Sequence, residues 1–327
     1  MTSIQLISII FLIIINFLLC KNSFKISKFF NLIDRPNKHS LHKKETPIFG
    51  GILFVINIIF FFILSGFENL YFILTILSFF LLGLYDDIYN INPNLRLTIA
   101  SLVLCIFFYL DGNFIINELK IINYFLINNK FFLFFFSILC VLLFVNSINL
   151  IDGINGLSGF ILLFYLVYLI LISYGQKIDF DNKYIFLITF IFFLYYNLNG
   201  KIFMGDSGVY LLSSFVALLT VKFHNYNILE PFDIFLLFLI PGIDMFRLFC
   251  ERIANNKNPF LKDNNHIHHL LLKKFNYKIF QVNTVILAQI ILFNMLNFFF
   301  DSYTFIFILI NLILYYYLVY FFRSKIK

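Results

Sequence analysis

Residues 131–151 read FFLFFFSILCVLLFVNSINLI, an apolar run without a charged residue. A helix of about 20 apolar residues spans the hydrocarbon core of a bilayer, so this run predicts a transmembrane helix. The whole chain has the same character, since 61% of its 327 residues are hydrophobic, 50 are Phe and only 13% are charged. Soluble globular proteins carry about 25% charged residues. The composition therefore predicts a polytopic membrane protein and excludes soluble globular and disordered classes.

Ten further apolar runs accompany this one. Together they predict an all-α polytopic membrane protein with about 11 transmembrane helices, or 10 if one of the shorter runs is discounted. The predicted spans are 2–20, 47–66, 69–85, 96–111, 131–151, 157–174, 184–199, 207–224, 231–250, 279–299 and 302–322. Because neither an internal repeat nor a separate soluble segment is evident, we predict one integral-membrane domain over 1–327.

The basic residues predict the orientation of these spans. If the first connection, 21–46, is cytoplasmic, 19 of the 24 Lys and Arg residues lie inside and 5 outside. This asymmetry follows the positive-inside rule and predicts a periplasmic N-terminus and a cytoplasmic C-terminus. The cytoplasmic connections that we expect to form the active face are 21–46, 86–96, 151–157, 199–207 and 251–278.

Acidic residues cluster on this predicted cytoplasmic side. Asp86 and Asp87 lie at the end of one span and are followed by Arg96, whereas Asp206 lies between two glycines at the start of another. Carboxylates at the membrane are costly unless they are paired or bind a cation. Mg²⁺ is often held by one or two carboxylates together with a substrate phosphate. The structural alternatives are a solvated helix end at Asp86 and Asp87 and a helix N-cap at Asp206.

Three polar residues follow one another at intervals of three. Asn146, Asn149 and Asp152 would form a stripe on one face of a helix. Such a stripe faces a site or a partner helix rather than lipid. Gly153 and Gly156 follow it and permit close approach of a ligand to the backbone. Polar packing between helices is the alternative interpretation.

The long connection 251–278 is predicted to bind phosphate. Its candidate site residues are Arg252, Asp263, His266, His268 and His269. Zinc would need a fuller set of ligands, whereas His and Arg side chains suit a phosphate; a solvated loop is the alternative. Asp244 and Arg247, one turn apart in the preceding span, are interpreted as a structural ion pair.

The first connection combines lysines with a pattern of Pro, Asn, His and Gly. The lysines are explained by attraction to anionic lipid headgroups. That attraction does not explain Asn37, His42 or the Gly50-Gly51 pair. We therefore include Asn37 and His42 among the candidate substrate contacts.

In this order, the motifs resemble those of the polyprenyl-phosphate N-acetylhexosamine-1-phosphate transferase superfamily, glycosyltransferase family 4. The superfamily includes the enzymes that start O-antigen, enterobacterial common antigen and teichoic-acid linkage synthesis, and phospho-N-acetylmuramoyl-pentapeptide transferase. The resemblance covers roughly residues 30–275 and rests on the aspartate pair and on matches to NxxNxxDGxxGL, MGDSG and HxHH. It is weaker in the first connection, where His39 and Ile48 stand where the family usually has arginine.

The resemblance implies an enzyme that transfers N-acetylhexosamine 1-phosphate from a UDP-sugar to undecaprenyl phosphate and releases UMP. The product would start a lipid-linked glycan of the O-antigen, common-antigen or teichoic-acid type. The catalytic residues implied by the resemblance are Asp86, Asp87, Asp152, His266, His268 and His269. The substrate-binding residues are Asn37, His42, Asn146, Asn149, Arg252 and Asp263. Asp206 and Asp87 would ligate Mg²⁺, for which Mn²⁺ could substitute.

The same resemblance implies the binding partners and the cellular location of the protein. The partners would be a UDP-N-acetylhexosamine, undecaprenyl phosphate and the lipid bilayer, without nucleic acid, and a homodimer is left open. The location would be the bacterial inner membrane, with several spans and a cytoplasmic active site. Two alternative functions remain: the muropeptide transferase of peptidoglycan synthesis, and a polytopic transporter. Transporters usually place their site near the midplane between repeated halves, whereas here the motifs gather on one predicted face.

Overall fold

In the computed structural model of the chain, the described residues are 3–36, 44–66, 69–121, 125–174, 182–256, 265–275 and 278–324. Within these ranges the chain forms fourteen α-helices. They are α1 (Ser3–Lys21), α2 (Ser23–Phe29), α3 (Gly50–Ser65), α4 (Leu70–Tyr89), α5 (Pro93–Leu110), α6 (Lys130–Ile151), α7 (Leu157–Ser173), α8 (Tyr184–Leu198), α9 (Gly205–Asn225), α10 (Pro231–Leu237), α11 (Leu239–Ala254), α12 (Ile267–Phe275), α13 (Ile279–Phe299) and α14 (Thr304–Ser324). Three predicted site residues, Asn37, His42 and Asp263, lie outside the described residues.

Two short antiparallel hairpins interrupt this helical chain. Strands β1 (Ile33–Asp34) and β2 (Thr46–Pro47) pair in the first connection. Strands β3 (Leu119–Ile121) and β4 (Phe125–Ile127) pair in the connection before α6. The second hairpin lies in the short apolar stretch 119–127, which is too short to cross a membrane as a helix.

Asparagine side chains define where several of the helices begin. Asn69 accepts a hydrogen bond from the backbone N–H of Phe72 at the start of α4, and Asn129 accepts one from Phe132 at the start of α6. At α5, Asn92 caps the helix and Pro93 occupies its first turn, where the absent N–H of proline costs nothing. The starts of these helices are thus set by polar residues that directly precede the apolar runs.

Six of the described helical segments are long and apolar enough to cross a membrane, and the number is seven if α1 and α2, bent by 63°, form one span. The six are α4, α5, α6, α9, α13 and the segment Asp301–Arg323, which contains most of α14. Three shorter apolar helices are α3, α7 and α8. The chain is therefore an all-α polytopic membrane protein. The number of eleven spans and their orientation stay predictions.

One predicted span differs from the structure. The run 231–250 is divided into α10 and α11, which meet at Phe238. Pro241 explains the division, because it has no N–H to donate to the carbonyl of Leu237 four residues earlier and its ring would clash with that carbonyl.

The predicted connection 86–96 is also shorter than expected. Because α4 continues to Tyr89, Asp86 and Asp87 lie on its last turn.

The chain divides into two compact units. The first contains Met1–Phe114 and Tyr165–Leu219, and the second contains Ile115–Phe164 and Thr220–Lys327. Phenylalanine rings fill the first unit, where Phe54 packs on Phe193 and Phe72 packs on Phe215, at centroid separations of 5.3 and 5.8 Å. In the second unit, Phe144 of α6 packs on Phe238, with their centroids 4.0 Å apart. The prediction of a single domain over 1–327 is not settled by this division.

Candidate active site

The first unit brings together the aspartate pair and the MGDSG motif. Asp87 accepts a hydrogen bond from the backbone N–H of Asp206 at 2.8 Å and another from Ser207 at 3.0 Å. These are among the first N–H groups of α9, which lack partners within the helix and carry its positive dipole. The last turn of α4 is thereby attached to the N-terminus of α9. Asp87 provides the cap that the sequence alone would assign to Asp206.

Two glycines permit this close approach. A Cβ atom at Gly83, one turn before Asp87, would lie 2.6 Å from the Cα atom of Ser207, which is closer than van der Waals contact. Gly205 has a φ of +74°, and a Cβ atom there would lie 2.8 Å from Oδ2 of Asp87. Both positions therefore require glycine, one for close packing of α4 against α9 and one for the turn beside the carboxylate.

Arg96 lies between the other two carboxylates of this cluster. Its Nη1 atom is 2.6 Å from Oδ2 of Asp86 and 3.9 Å from Oδ2 of Asp206. The second oxygen of Asp86 accepts the backbone N–H of Ile91 at 2.8 Å. The Asp86 side chain is 4% exposed, whereas that of Asp206 is 25% exposed. Asp86 is thus engaged by protein donors, and Asp206 is the more accessible carboxylate.

The cluster of Asp86, Asp87, Arg96 and Asp206 suits a bound cation. The cluster holds three carboxylates and one guanidinium, and two of the carboxylates contact the guanidinium, so its ionised side chains carry a net negative charge. The Asp87 carboxylate accepts the backbone N–H groups of Asp206 and Ser207 and a hydrogen bond from the Ser207 side chain, and it has about four lone-pair positions in all. Among the described residues, no three His, Cys, Asp or Glu side chains form a complete metal site. Mg²⁺ is often held by only one or two carboxylates together with a substrate phosphate, and the Mg²⁺ site at Asp87 and Asp206 stays a prediction.

The second unit contains the Asn/Asp stripe. Asn146 and Asn149 lie on the last two turns of α6, and Asp152 immediately follows that helix. The predicted helical placement of both asparagines is therefore confirmed. Asn146 donates to the carbonyl of Leu142 at 2.7 Å, and Asp152 accepts a hydrogen bond from the Ser158 hydroxyl at 2.5 Å. Ser158 thus holds Asp152 at the turn into α7.

The histidine motif contacts the turn that follows Asp152. The ring of His268 packs directly on Gly153, where a Cβ atom would lie 3.1 Å from the ring Cδ2 atom. Asn283 of α13 donates to the carbonyl of Asn155 in the same turn at 2.9 Å. The second unit thus brings two predicted motifs together, as the functional interpretation requires.

The three histidines lie against one another at the start of α12. The rings of His266 and His268 are almost parallel, with centroids 5.6 Å apart, and His269 lies 4.2 Å from His268. Burial, together with the neighbouring His269 and His266 rings, holds the pKa of His268 well below its usual value. Among the described residues, neither ring nitrogen of His268 has a hydrogen-bond partner. His268 is therefore suited to recognise a ligand by hydrogen bonds from a neutral ring.

The second unit also contains Arg252 and the ion pair between Asp244 and Arg247. Arg252 is 8% exposed on α11. The predicted ion pair between Asp244 and Arg247 is present, with 2.8 Å between Oδ1 and Nη2. In addition, Asp244 binds His266 at 2.8 Å, a contact across 22 residues that the sequence pattern did not indicate. Arg96 and Ser158 are likewise absent from the predicted site residues, although Arg96 follows the aspartate pair in the sequence.

A comparison with models of known protein families found a match over the region that carries most of the predicted motifs. Residues 69–224 match the model of the family described as glycosyl transferase family 4. No curated protein matches the chain. The matched region contains the aspartate pair, Arg96, the Asn/Asp stripe and Asp206, whereas Asp244 and the histidine motif lie beyond it. Over this region the chain is therefore similar to glycosyl transferase family 4, and the match supports the resemblance to the polyprenyl-phosphate sugar-1-phosphate transferases.

Proposed function

We propose that the enzyme transfers N-acetylhexosamine 1-phosphate from a UDP-sugar to undecaprenyl phosphate and releases UMP. The product, a polyprenyl diphosphate sugar, starts a cell-envelope glycan of the O-antigen, common-antigen or teichoic-acid type. We place this reaction at the cytoplasmic face of a bacterial inner membrane, because the charge asymmetry puts every motif on that side. The observation that carries the proposal is the cluster of Asp86, Asp87, Arg96 and Asp206 at the N-terminus of α9.

The cluster matches the needs of phosphoryl transfer. This reaction has little covalent chemistry for the protein to perform, so catalysis consists of positioning and charge neutralisation. The N-terminus of α9 favours an anion, and Arg96 can face phosphate oxygens while it is held by Asp86. Asp87 and Asp206 would hold Mg²⁺, which supplies charge neutralisation at the diphosphate when bound. Asp86 would then orient Arg96 and the lipid phosphate.

The bond changes in the proposed reaction are balanced. An oxygen of the lipid phosphate attacks the sugar-linked phosphorus of the UDP-sugar and forms a new P–O bond. The bond from that phosphorus to the bridging oxygen breaks, and UMP leaves with this oxygen. Since one diphosphate linkage replaces another, the reaction should be nearly reversible. A phosphate monoester is largely ionised at neutral pH, so the lipid phosphate does not depend on a strong base.

The histidine motif supports the choice of donor. The H-x-H-H pattern at 266–269 resembles the branch of the superfamily that uses UDP-N-acetylhexosamines. His268, a neutral and buried ring beside Gly153, could hydrogen-bond a donor oxygen, and the half-buried His269 adds a second ring beside it. Asn149 and Asp152, which lie on the neighbouring turn, supply further polar contacts. We assign these residues to the nucleotide sugar.

Donor substrates tested one at a time should identify the branch. Purified enzyme with undecaprenyl phosphate and Mg²⁺ should form a lipid-linked product from a UDP-N-acetylhexosamine, and chelation of the metal should abolish it. The readout is extraction of the labelled lipid. If only UDP-N-acetylmuramoyl-pentapeptide supports product formation, the peptidoglycan enzyme replaces this proposal. A protein that moves substrate across vesicles without chemical change would be a transporter instead.

A further inference from the structure

Asp244 lies at the centre of a buried polar network in the second unit. It is 1% exposed on α11. Its Oδ1 atom accepts hydrogen bonds from Nη2 of Arg247 at 2.8 Å and from the hydroxyl of Tyr315 at 2.6 Å. Its Oδ2 atom binds Nδ1 of His266 at 2.8 Å. A buried carboxylate with this many donors is held in one orientation, because leaving any of these groups unpaired is costly.

The network connects α11 and α14 to the beginning of α12. Arg247 donates through Nε to the Tyr315 hydroxyl at 2.9 Å and through Nη2 to the carbonyl of Asn265 at 2.9 Å. The backbone N–H of Ile267 donates to Oδ1 of Asp244 at 3.2 Å. The Tyr315 hydroxyl therefore serves as both acceptor and donor between Arg247 and Asp244. Without it, Nε of Arg247 would lose the acceptor that it has in this buried site.

The orientation of His266 follows from the network. A histidine that donates its Nδ1 hydrogen to a carboxylate is fixed in ring orientation and tautomer, and its Nε2 atom is left for another partner. His266 is 3% exposed, and its Nε2 atom has no hydrogen-bond partner among the described residues. The ring lies parallel to that of His268. His266 is thus held for an interaction that the described residues do not themselves supply.

We propose that Tyr315, on the last helix of the chain, is a positioning residue for the histidine motif. Through Asp244 and Arg247 it fixes His266 so that the lone pair of Nε2 accepts a hydrogen bond from a hydroxyl or N–H group of the nucleotide-sugar donor. Tyr315 itself does not touch substrate. The role of the donor in this inference rests on the proposed function, whereas the link from Tyr315 to the start of α12 does not. The two parts can therefore be tested separately.

Hydrogen exchange tests the link without reference to activity. In Tyr315→Phe, the amides of residues 267–271 should exchange about tenfold faster, because a hydrogen bond to a charged group is worth at least this factor. The control is Tyr317→Phe on the same helix, whose side chain is 59% exposed and which should exchange like the wild type. Equal exchange of this segment in both variants would overturn the proposal, even if the wild type proved to have a different substrate.

Steady-state kinetics test whether the loss of the Tyr315 hydroxyl raises KM for the UDP-sugar donor. Tyr315→Phe should raise KM for the UDP-sugar about tenfold and leave KM for the lipid phosphate within about twofold. A purely structural defect would reduce the active fraction and lower kcat alone. In an Asp244→Asn background, Tyr315→Phe should add no further change in donor KM, because the two residues act through one contact.

The outcomes separate the inference from the proposed function. Independent, additive effects of the two substitutions, or an unchanged donor KM in Tyr315→Phe, would contradict a role through Asp244. If Asp244→Asn does not fold, the comparison of Tyr315→Phe with Tyr317→Phe decides alone. If the wild type forms no lipid-linked sugar, the proposed function fails, and hydrogen exchange still decides whether Tyr315 positions the motif.

Discussion

Asp206→Asn should lower transferase activity by about 10²–10³, the usual effect of removing one positioned electrostatic group. Asparagine has nearly the same size, but it lacks the charge that a metal ion needs. The start of α9 should survive the change, because Asp87 already accepts the backbone N–H groups of Asp206 and Ser207. The measurement is turnover at matched protein levels, together with its dependence on the Mg²⁺ concentration.

Asp301→Asn is the matched control, since the same chemical change is made at an exposed residue between α13 and α14. It should leave turnover unchanged within about twofold, because surface substitutions away from specific features have small effects. Near-normal turnover and Mg²⁺ dependence in folded Asp206→Asn would remove this residue from the metal site. Thermal unfolding of both variants shows whether a loss comes from chemistry or from misfolding.

Gly205→Ala should reduce activity by about 10², the loss expected when a catalytic group is displaced by roughly 1 Å. The new methyl group would lie 2.8 Å from Oδ2 of Asp87 and would also overlap the side chain of Ile48. In addition, alanine disfavours the left-handed backbone that Gly205 adopts at φ +74°. Turnover and thermal stability should be measured on the same purified samples.

The Gly66→Ala variant is the control for Gly205→Ala, because it distinguishes the effect of backbone strain from the effect of displacing the Asp87 carboxylate. Gly66 also has a positive φ, +58°, but no atom of the residues that the structure describes lies within 4 Å of a Cβ atom built there. It should therefore show the modest loss of stability that a left-handed alanine costs, about 1–2 kcal/mol, with normal activity in the folded fraction. Equal losses of activity in the two variants would show that the carboxylate does not depend on the space beside Gly205.

The helical architecture was largely predictable, because a run of about 20 apolar residues has few alternatives to a helix in a membrane. Each predicted apolar run coincides with helical structure. The division at Phe238 was not predicted, although Pro241 lies inside the predicted span. The helix ends were less predictable: Asp86 and Asp87 belong to the last turn of α4 rather than to a loop.

Contacts between distant segments were not predictable from spacing. Asp87 and Asp206 are 119 residues apart, and local rules indicate an N-cap by Asp206 where the structure uses Asp87. Tyr315 is the first of three consecutive tyrosines, and nothing in that run distinguishes the one that meets Asp244. By contrast, the pairing of Asp244 with Arg247 follows from positions i and i+3 on a helix. The motifs indicated the candidate site residues, and the fold was needed to find their partners.

The fate of the sugar-linked phosphorus tests the central claim most directly. A UDP-N-acetylhexosamine labelled at that phosphorus is incubated with purified enzyme, undecaprenyl phosphate and Mg²⁺, and the nucleotide and lipid products are separated. The proposed reaction predicts unlabelled UMP and a labelled lipid diphosphate, because the lipid phosphate attacks phosphorus. Labelled UDP as the sole nucleotide product would contradict it, because the attack would then have occurred at the sugar carbon.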